Sequence, residues 1–238
     1  MYGQQLAAVW DLFYKEGRGK RYGEEAEEVA ATVRRHQPAA ASVLDVACGT
    51  GEHLARLGQL FAHTEGLDAS PAMAAVARAK VAAPIHVADM RDFDLGRTFD
   101  AVVCLNTGVA YLPSLADLRA ALRCMVRHLA PRGVLLIEPW WFPERYLDGY
   151  VASDAVASGD RRVTRISRTV RADGRARMDI HYLVADPAGI EHFTEIHRFG
   201  LWTEAEYLAA VADAGATAHY VAETRSGYGM FVARPLPR

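Results

Sequence analysis

The chain has 238 residues, with 27 lysines and arginines against 29 aspartates and glutamates, so its formal net charge is −2. This balance excludes a strongly basic nucleic-acid or membrane-surface binder, and 51% hydrophobic residues exclude intrinsic disorder. The cysteines Cys48, Cys104 and Cys124 are odd in number and far apart, which argues against a disulfide framework and a cysteine-rich zinc site. We find neither an export signal nor an apolar run of about 18 residues, and therefore expect a cytoplasmic protein.

The chain begins with two helical patterns. Apolar side chains at helical spacing over residues 4–14 predict a helix, and a glycine loop ends it. Residues 24–36 combine an apolar face with glutamates in the first turn and arginines in the last, which suits the helix dipole. Together they predict an N-terminal helical cap of about residues 1–36.

From residue 37 onward short apolar strands alternate with helices. Strands are predicted at 42–47, 64–68, 85–88, 100–105 and 133–138, and helices at 51–61, 70–80 and 114–129. A capping box at Thr203 predicts a further helix to about residue 214, and two closing strands are predicted near 217–222 and 228–233. The alternation indicates an α/β fold with a Rossmann-like, doubly wound parallel sheet, whose core comprises residues 37–138 and 203–238.

Residues 139–202 interrupt this rhythm. Between Arg175 and Val184 apolar and polar residues alternate with period two, and Asp173-Gly174 supplies a hairpin turn before them. This pattern predicts an antiparallel β insert after the fifth strand of a single domain that spans residues 1–238.

The most informative local feature is a glycine turn between the first core strand and its helix. Gly49 and Gly51 let the backbone approach a ligand closely at the end of a strand. Such a turn alone is weak evidence for a ligand site, because an ordinary tight connection from strand to helix also uses it. A dinucleotide site would have glycine or alanine three residues after Gly51, where Leu54 stands, so nothing indicates room for a pyrophosphate.

Acidic residues end the next two strands. Asp68 lies 19 residues after Gly49 and can accept both hydroxyls of a ribose, and Asp89 can meet an adenine amino group. The pattern therefore favours a nucleoside without phosphates.

This order of features resembles the class I S-adenosylmethionine-dependent methyltransferases. More specific motifs resemble the nucleotide-aminosugar N,N-dimethyltransferases that complete desosamine and mycaminose, over almost the whole chain. These motifs are Leu44 to Gly51, Asp89 to Phe93, EPWWFPE at Glu138 to Glu144, GRGK at 17–20 with Tyr22, Gly149 to Ala152, and Ser226-Gly227. The resemblance implies methyl transfer to the amino group of a dTDP-linked amino-deoxysugar in antibiotic sugar biosynthesis.

The resemblance also implies roles for individual residues. S-adenosyl-L-methionine is expected to contact Tyr14, Tyr22, Ala47, Gly49, Thr50, Gly51, Asp68, Ala69, Asp89, Met90 and Cys104. The dTDP-aminosugar is expected to contact Tyr14, Arg18, Glu138, Trp140, Trp141, Arg177, Ser226 and Tyr228. Tyr2 and Tyr111 are expected near the amine as catalytic residues. No histidine has metal-ligand spacing, so we expect no metal.

Some of these residues also have ordinary structural interpretations. Arg177 lies on the opposite strand face to Met178 and is by default a solvent-facing charge, although its family position suggests a phosphate contact. Two adjacent indoles cannot both point into one core from an extended chain, so at least one of Trp140 and Trp141 is expected to line the acceptor pocket.

Three departures from the family leave the exact sugar open. The chain has Asn106-Thr107-Gly108 where the family commonly has Phe-Ser-Ser, Tyr228 where an arginine is usual, and Arg21 where an aspartate is usual. Alternative functions are another small-molecule N- or O-methyltransferase and a non-catalytic cofactor-binding regulator. We expect no nucleic-acid or membrane partner, and a homodimer through the insert is a further hypothesis.

Overall fold

The computed structural model describes residues 3–17 and 19–237. The helices are α1 (Gln4–Leu12), α2 (Tyr22–His36), α3 (Glu52–Leu57), α4 (Pro71–Lys80), α5 (Leu115–Arg127) and α6 (Glu204–Asp213). The strands are β1 (Ser42–Val46), β2 (His63–Asp68), β3 (Ile85–Val87), β4 (Phe99–Cys104), β5 (Leu129–Ile137), β6 (Tyr150–Ser158), β7 (Arg161–Ala172), β8 (Arg175–Asp186), β9 (Gly189–Gly200), β10 (Ala216–Val221) and β11 (Met230–Pro235). A π-helical turn at Phe13–Gly17 follows α1, and a 3₁₀ turn at Gly108–Tyr111 follows β4.

The central sheet has seven strands in the order β10-β11-β5-β4-β1-β2-β3. Strands β1 to β5 are parallel, and β11 pairs antiparallel with both β5 and β10. Leu118 of α5 and Tyr207 of α6 pack on one face, whereas Val29 and Val33 of α2 pack on the other. This arrangement confirms the predicted α/β fold. The strand order reverses between β1 and β4, which is where doubly wound sheets bind ligands.

The insert forms a separate four-stranded antiparallel sheet in the order β6-β7-β8-β9. Asp173 and Gly174 both have positive φ, at 51° and 71°, as a two-residue hairpin turn requires. Ile180, Tyr182 and Val184 face inward and pack with Leu6 and Phe13 of the N-terminal segment. The insert therefore holds the N-terminal segment beside the central sheet.

Two element boundaries differ by four residues from the sequence-based expectations. The helix expected at 51–61 ends at Leu57 because Gly58 and the following residues form turns. Strand β5 starts at Leu129, before the expected residue 133, and a register irregularity opposite Phe99 and Ala101 absorbs the added residues. The capping box at Thr203 is present as predicted. Among the described residues, no helix combines the length and apolarity needed to span a membrane.

Candidate active site

The glycine turn after β1 is shaped by left-handed backbone conformations. Ala47, Gly49 and Gly51 have φ values of 59°, 56° and 78°. A Cβ on Gly51 would lie 3.1 Å from Cβ of Ala77, so this glycine lets α3 and α4 approach each other. A Cβ on Gly108 would lie 2.8 Å from Cβ of Ala47, so the turn after β4 also needs glycine to lie against this loop.

A cavity of about 430 Å³ opens at the carboxyl ends of β1, β2 and β4. We call it the first cavity. Its lining includes these predicted site residues: Tyr22, Ala47, Gly49, Thr50, Asp68, Ala69, Asp89, Met90 and Tyr111. The strand ends and the glycine turn thus bring together most of the residues expected to bind a nucleoside.

Asp68 is fixed in the wall of the first cavity by the backbone. One carboxylate oxygen accepts the N–H of Gly49 at 2.8 Å, and the other accepts the N–H of Ser70 at 2.8 Å. Burial raises the pKa of Asp68, and these two hydrogen bonds oppose that shift. Each oxygen keeps lone pairs that can accept further hydrogen bonds, so the carboxylate can receive a pair of hydroxyls.

Asp89 is held by a side chain instead. Nη2 of Arg91 lies 2.7 Å from the Asp89 carboxylate, and Nη1 of the same arginine lies 2.7 Å from Asp117. The hydrogen bonds from Arg91 hold the pKa of Asp89 below its ordinary range. Asp89 is therefore a positioned anion at the far end of the cavity.

Asp45 is a buried acid that the sequence interpretation did not select. Its side chain lines the first cavity, and its Oδ2 has no hydrogen-bond partner among the described residues. Burial, together with the nearby charge of Asp68, raises the pKa of Asp45 to about 8. A buried carboxyl group with an unused oxygen favours a cationic or hydrogen-bond-donating ligand. The available signal was an acid in the middle of an otherwise apolar strand.

The N-terminal segment is tied to the glycine turn by a cluster of charges. The Thr50 hydroxyl donates to Asp11 at 2.5 Å, and Lys80 donates to the other oxygen of Asp11 at 2.6 Å. Lys15 pairs with Glu52 at 2.7 Å. These contacts hold the end of α1 beside the glycine turn, where Trp10 lines the first cavity; Tyr22, at the start of α2, lines it too.

Tyr111 and His197 form a polar pair in the first cavity. The Tyr111 hydroxyl lies 3.2 Å from Nδ1 of His197, and the ring of Phe199 packs 4.8 Å from the tyrosine ring. Burial lowers the pKa of His197 to about 4, so its imidazole is neutral near pH 7. The second expected catalytic residue, Tyr2, lies outside the described residues.

A second cavity of about 450 Å³ adjoins the first. It is lined by Tyr14, Gly19, Lys20, Arg21, Glu24, Glu25, Asn106, Arg225, Ser226 and Tyr228. Tyr14, Ser226 and Tyr228 were expected to bind the acceptor, and three basic side chains accompany them. Tyr14 was also expected to bind the cofactor, but it does not line the first cavity. Asn106 lines both cavities.

A chain of polar contacts begins at half-buried side chains that line the second cavity and continues to buried side chains beneath it. The Lys20 ammonium donates to Oδ1 of Asn106 at 3.1 Å and pairs with Glu25 at 3.1 Å. Glu25 also contacts His53 at 2.7 Å, and Glu138 accepts the backbone N–H of Asn106. Burial raises the pKa of Glu138, an effect that the Lys20 charge opposes. Glu138 was expected to bind the acceptor directly, but its side chain is buried and lines neither cavity, so it supports Asn106 from below instead.

Several predicted site residues lie away from both cavities. Trp140 is a core residue, 8% exposed, with its ring 4.3 Å from that of Phe199. Trp141 is 39% exposed, and its ring lies 5.0 Å from that of Tyr228. Neither indole therefore lines a cavity, contrary to the expectation for the acceptor pocket. The chain after β5 turns Trp140 into an apolar cluster with Phe199 and leaves Trp141 beside Tyr228, which lines the second cavity.

Three other predicted contacts also differ from expectation. Arg177 pairs with Asp179 at 2.7 Å and lines neither cavity, as its solvent-facing interpretation suggests, whereas Arg175 lines the first cavity. The Cys104 thiol is completely buried beneath Gly108, and burial raises its pKa. Gly51 faces α4 instead of the cavity. Arg18 lies outside the described residues.

Within residues 3–17 and 19–237, no group of three or more histidine, cysteine, aspartate or glutamate side chains is arranged to hold a metal ion. The polar groups of the two cavities are instead arranged around spaces that suit organic ligands.

Comparisons with known proteins agree with this geometry. Residues 43–133 match the family model described as a methyltransferase domain. The chain is 46% identical to a dTDP-3-amino-3,4,6-trideoxy-alpha-D-glucopyranose N,N-dimethyltransferase of Streptomyces venezuelae, over 99% of this chain and 100% of the relative. It is 45% identical to a dTDP-3-amino-3,6-dideoxy-alpha-D-glucopyranose N,N-dimethyltransferase of Streptomyces fradiae, over 98% of this chain and 92% of the relative.

Solved structures show the same similarity. The structure of Streptomyces venezuelae DesVI superposes with a TM-score of 0.94 at 45% identity, covering 99% of this chain and 100% of that one. A SAM-bound amino pentose methyltransferase from Micromonospora echinaspora superposes with a TM-score of 0.87 at 46% identity, covering 99% and 98% of the two chains.

The fold, the first cavity and the methyltransferase domain define a S-adenosylmethionine-dependent N-methyltransferase. Because full-length relatives exceed 40% identity, the chain belongs to the family of dTDP-aminosugar N,N-dimethyltransferases. The family resemblance, the enzyme class and the cofactor predicted from the sequence are thereby confirmed.

Proposed function

We propose that this protein transfers methyl groups from S-adenosylmethionine to the amino group of a dTDP-linked amino-deoxysugar, giving an N,N-dimethylated product. The observation that carries the proposal is the pair of adjoining cavities that meet at Asn106. One cavity presents acids at strand ends, and the other presents a cluster of cations. Full-length relatives that are named for this reaction support it.

The residues of the first cavity fit the cofactor. Asp68 suits the ribose hydroxyls, and Asp89 suits the amino group of adenine. The unpaired oxygen of Asp45 is available to a positively charged methionine moiety. When bound, the cofactor supplies an electrophilic methyl group on a sulfonium cation. Burial raises the pKa of Asp45 to about 8 in the free protein, and a cation bound beside it lowers that pKa and so favours the charged carboxylate.

The second cavity fits a sugar diphosphate. Lys20, Arg21 and Arg225 provide donors for phosphate oxygens. Arg21 and Arg225 both contact Glu24, at 3.0 and 2.6 Å, so this pair of guanidinium groups is held at the rim. The exposed ring of Trp141 beside Tyr228 offers an apolar surface to a pyrimidine base. The sugar then lies towards Asn106 and the first cavity.

Alignment of a neutral amine is the main catalytic requirement. Burial beside a cation lowers the pKa of an amine, so a substrate ammonium loses its proton readily in such a site. The Tyr111 hydroxyl, fixed against His197, can accept an amine N–H and orient the nitrogen lone pair. Correct positioning alone can contribute roughly 7 to 11 kcal/mol to a rate.

Product analysis tests the proposal. The purified protein is incubated with S-adenosylmethionine and dTDP-3-amino-3,6-dideoxyglucose, and the sugar nucleotide is analysed by mass spectrometry. We expect the masses of the mono- and dimethylated amines to appear in sequence, and Asp68→Ala to slow the formation of both under the same conditions. A protein that binds S-adenosylhomocysteine but methylates no dTDP-aminosugar would favour the alternatives, a different small-molecule methyltransferase or a regulator.

A further inference from the structure

Asn106 is the single asparagine of the sequence and lies at the boundary of the two cavities. If the cofactor occupies the first cavity and a sugar nucleotide the second, the reacting sugar must lie beside this residue. Asn106 is therefore placed to contact the acceptor ring close to its amine.

The backbone of Asn106 is firmly held. Asn106 and Thr107 both have left-handed conformations, with φ of 49° and 63°. Asparagine tolerates this conformation better than most residues. The Glu138 carboxylate accepts the backbone N–H of Asn106, and Gly108 packs tightly on Ala47 behind the turn. The side chain therefore extends from a fixed point.

The orientation of the Asn106 amide follows from its partner. A lysine ammonium only donates hydrogen bonds, so the oxygen of the amide must face Lys20, at 3.1 Å. Lys20 is itself held by Glu25 at 3.1 Å. The amide NH₂ is left on the other side, and no described residue accepts a hydrogen bond from it. A donor is thus presented at the cavity boundary.

We propose that the Asn106 NH₂ group donates a hydrogen bond to a hydroxyl oxygen on the carbon next to the acceptor amine, so that the enzyme selects amino sugars bearing that hydroxyl. This inference rests on the proposed function. A bond to the amine nitrogen itself would occupy the lone pair that must attack the methyl group, so the neighbouring oxygen is the productive partner. A deoxygenated carbon at this position would leave the donor unsatisfied.

Three acceptors test the selection. dTDP-3-amino-3,6-dideoxyglucose has hydroxyls on both carbons beside the amine, and its 4-deoxy and 2-deoxy analogues each lack one. We expect the wild-type enzyme to favour the parent over one of the two analogues by about fivefold to tenfold in kcat/KM, the factor for one neutral hydrogen bond. In Asn106→Gly, which accepts the positive φ without strain, that ratio should fall to about one.

Two controls keep the outcome interpretable. Affinity for S-adenosylhomocysteine, measured by calorimetry, shows that Asn106→Gly is folded, and Asn106→Ala serves as a second variant. Equal kcat/KM for all three acceptors in the wild type, or an unchanged preference in both variants, would overturn the inference while the proposed function stands. Failure to methylate any of the three would instead contradict the proposed function.

Discussion

The two adjoining cavities are built in different ways. The first is formed by backbone features at the ends of parallel strands, with a glycine turn and a carboxylate that is held by two backbone N–H groups. The second is formed by long charged side chains that come from the N-terminal loop, α2, the turn after β4 and the closing hairpin. The fold itself therefore determines the cofactor site, whereas side-chain choice can change the acceptor site within the same fold.

Loss of the Asp68 carboxylate should reduce ligand affinity most strongly, and only in the first cavity. Asp68→Ala should weaken S-adenosylhomocysteine binding on the order of a hundredfold, because two charged hydrogen bonds of roughly 1.5 kcal/mol each are lost. Calorimetry measures this affinity. Asp100→Ala is the matched control, since Asp100 binds the N–H groups of Ala41 and Ser42 at the opposite end of the sheet. Equal loss of affinity in both variants would mean that Asp68 acts through stability alone.

Lys20 provides the complementary test in the second cavity. Lys20→Met should raise the KM for the dTDP-aminosugar by roughly thirtyfold, because a charge-assisted contact to phosphate contributes about 2 kcal/mol. The affinity for S-adenosylhomocysteine should change less than threefold, because Lys20 does not line the first cavity. Steady-state kinetics at saturating cofactor measure the KM. A parallel loss of affinity for S-adenosylhomocysteine would mean that the two cavities do not bind their ligands independently.

Tyr111 is expected to have a smaller effect. Tyr111→Phe should lower kcat by less than tenfold, because it removes one hydrogen bond while the positioning of the sugar remains. The acidic limb of kcat/KM against pH should persist, because it reports the substrate amine. His192→Asn, on the exposed face of the same strand as His197, is the unaffected control. A loss of a thousandfold or more without an acidic limb would identify Tyr111 as an essential base.

A further test uses Asp45 and measures stability instead of ligand binding. Burial raises its pKa from 3.8 to about 8, so between these values the folded protein keeps a proton that the unfolded chain loses. The free energy of unfolding should therefore fall as pH rises through this range, by at most about 1.4 kcal/mol per pH unit from this group. In Asp45→Asn the urea unfolding curves should depend less on pH. Asp160→Asn, in an exposed turn, should leave the dependence unchanged.

The different construction of the two cavities also explains which site residues could be predicted from the sequence. Gly49, Asp68 and Asp89 could be predicted because their places at strand ends follow from local pattern and the rules of parallel sheets. Asp45 was missed because a strand acid can serve packing as well as binding, and only the cavity distinguishes the two.

The second cavity offered much less local signal. Lys20 and Arg225 are about 200 residues apart and meet only because α2 and the closing hairpin pack at one edge of the sheet. For Trp140 and Trp141 the local signal was strong, but the predicted position of the side chains was not correct. Their sequence motif is specific, but the turn after β5 directs one ring into the core and the other to the rim.

The cofactor and the nucleotide carrier should occupy different cavities of the protein. Titration of S-adenosylhomocysteine into the protein in a calorimeter, with and without saturating dTDP, tests this separation directly. Both ligands should bind together, and the Kd for S-adenosylhomocysteine should change less than twofold. A Kd that rises in proportion to the dTDP concentration would show competition for one cavity and would rule out separate sites.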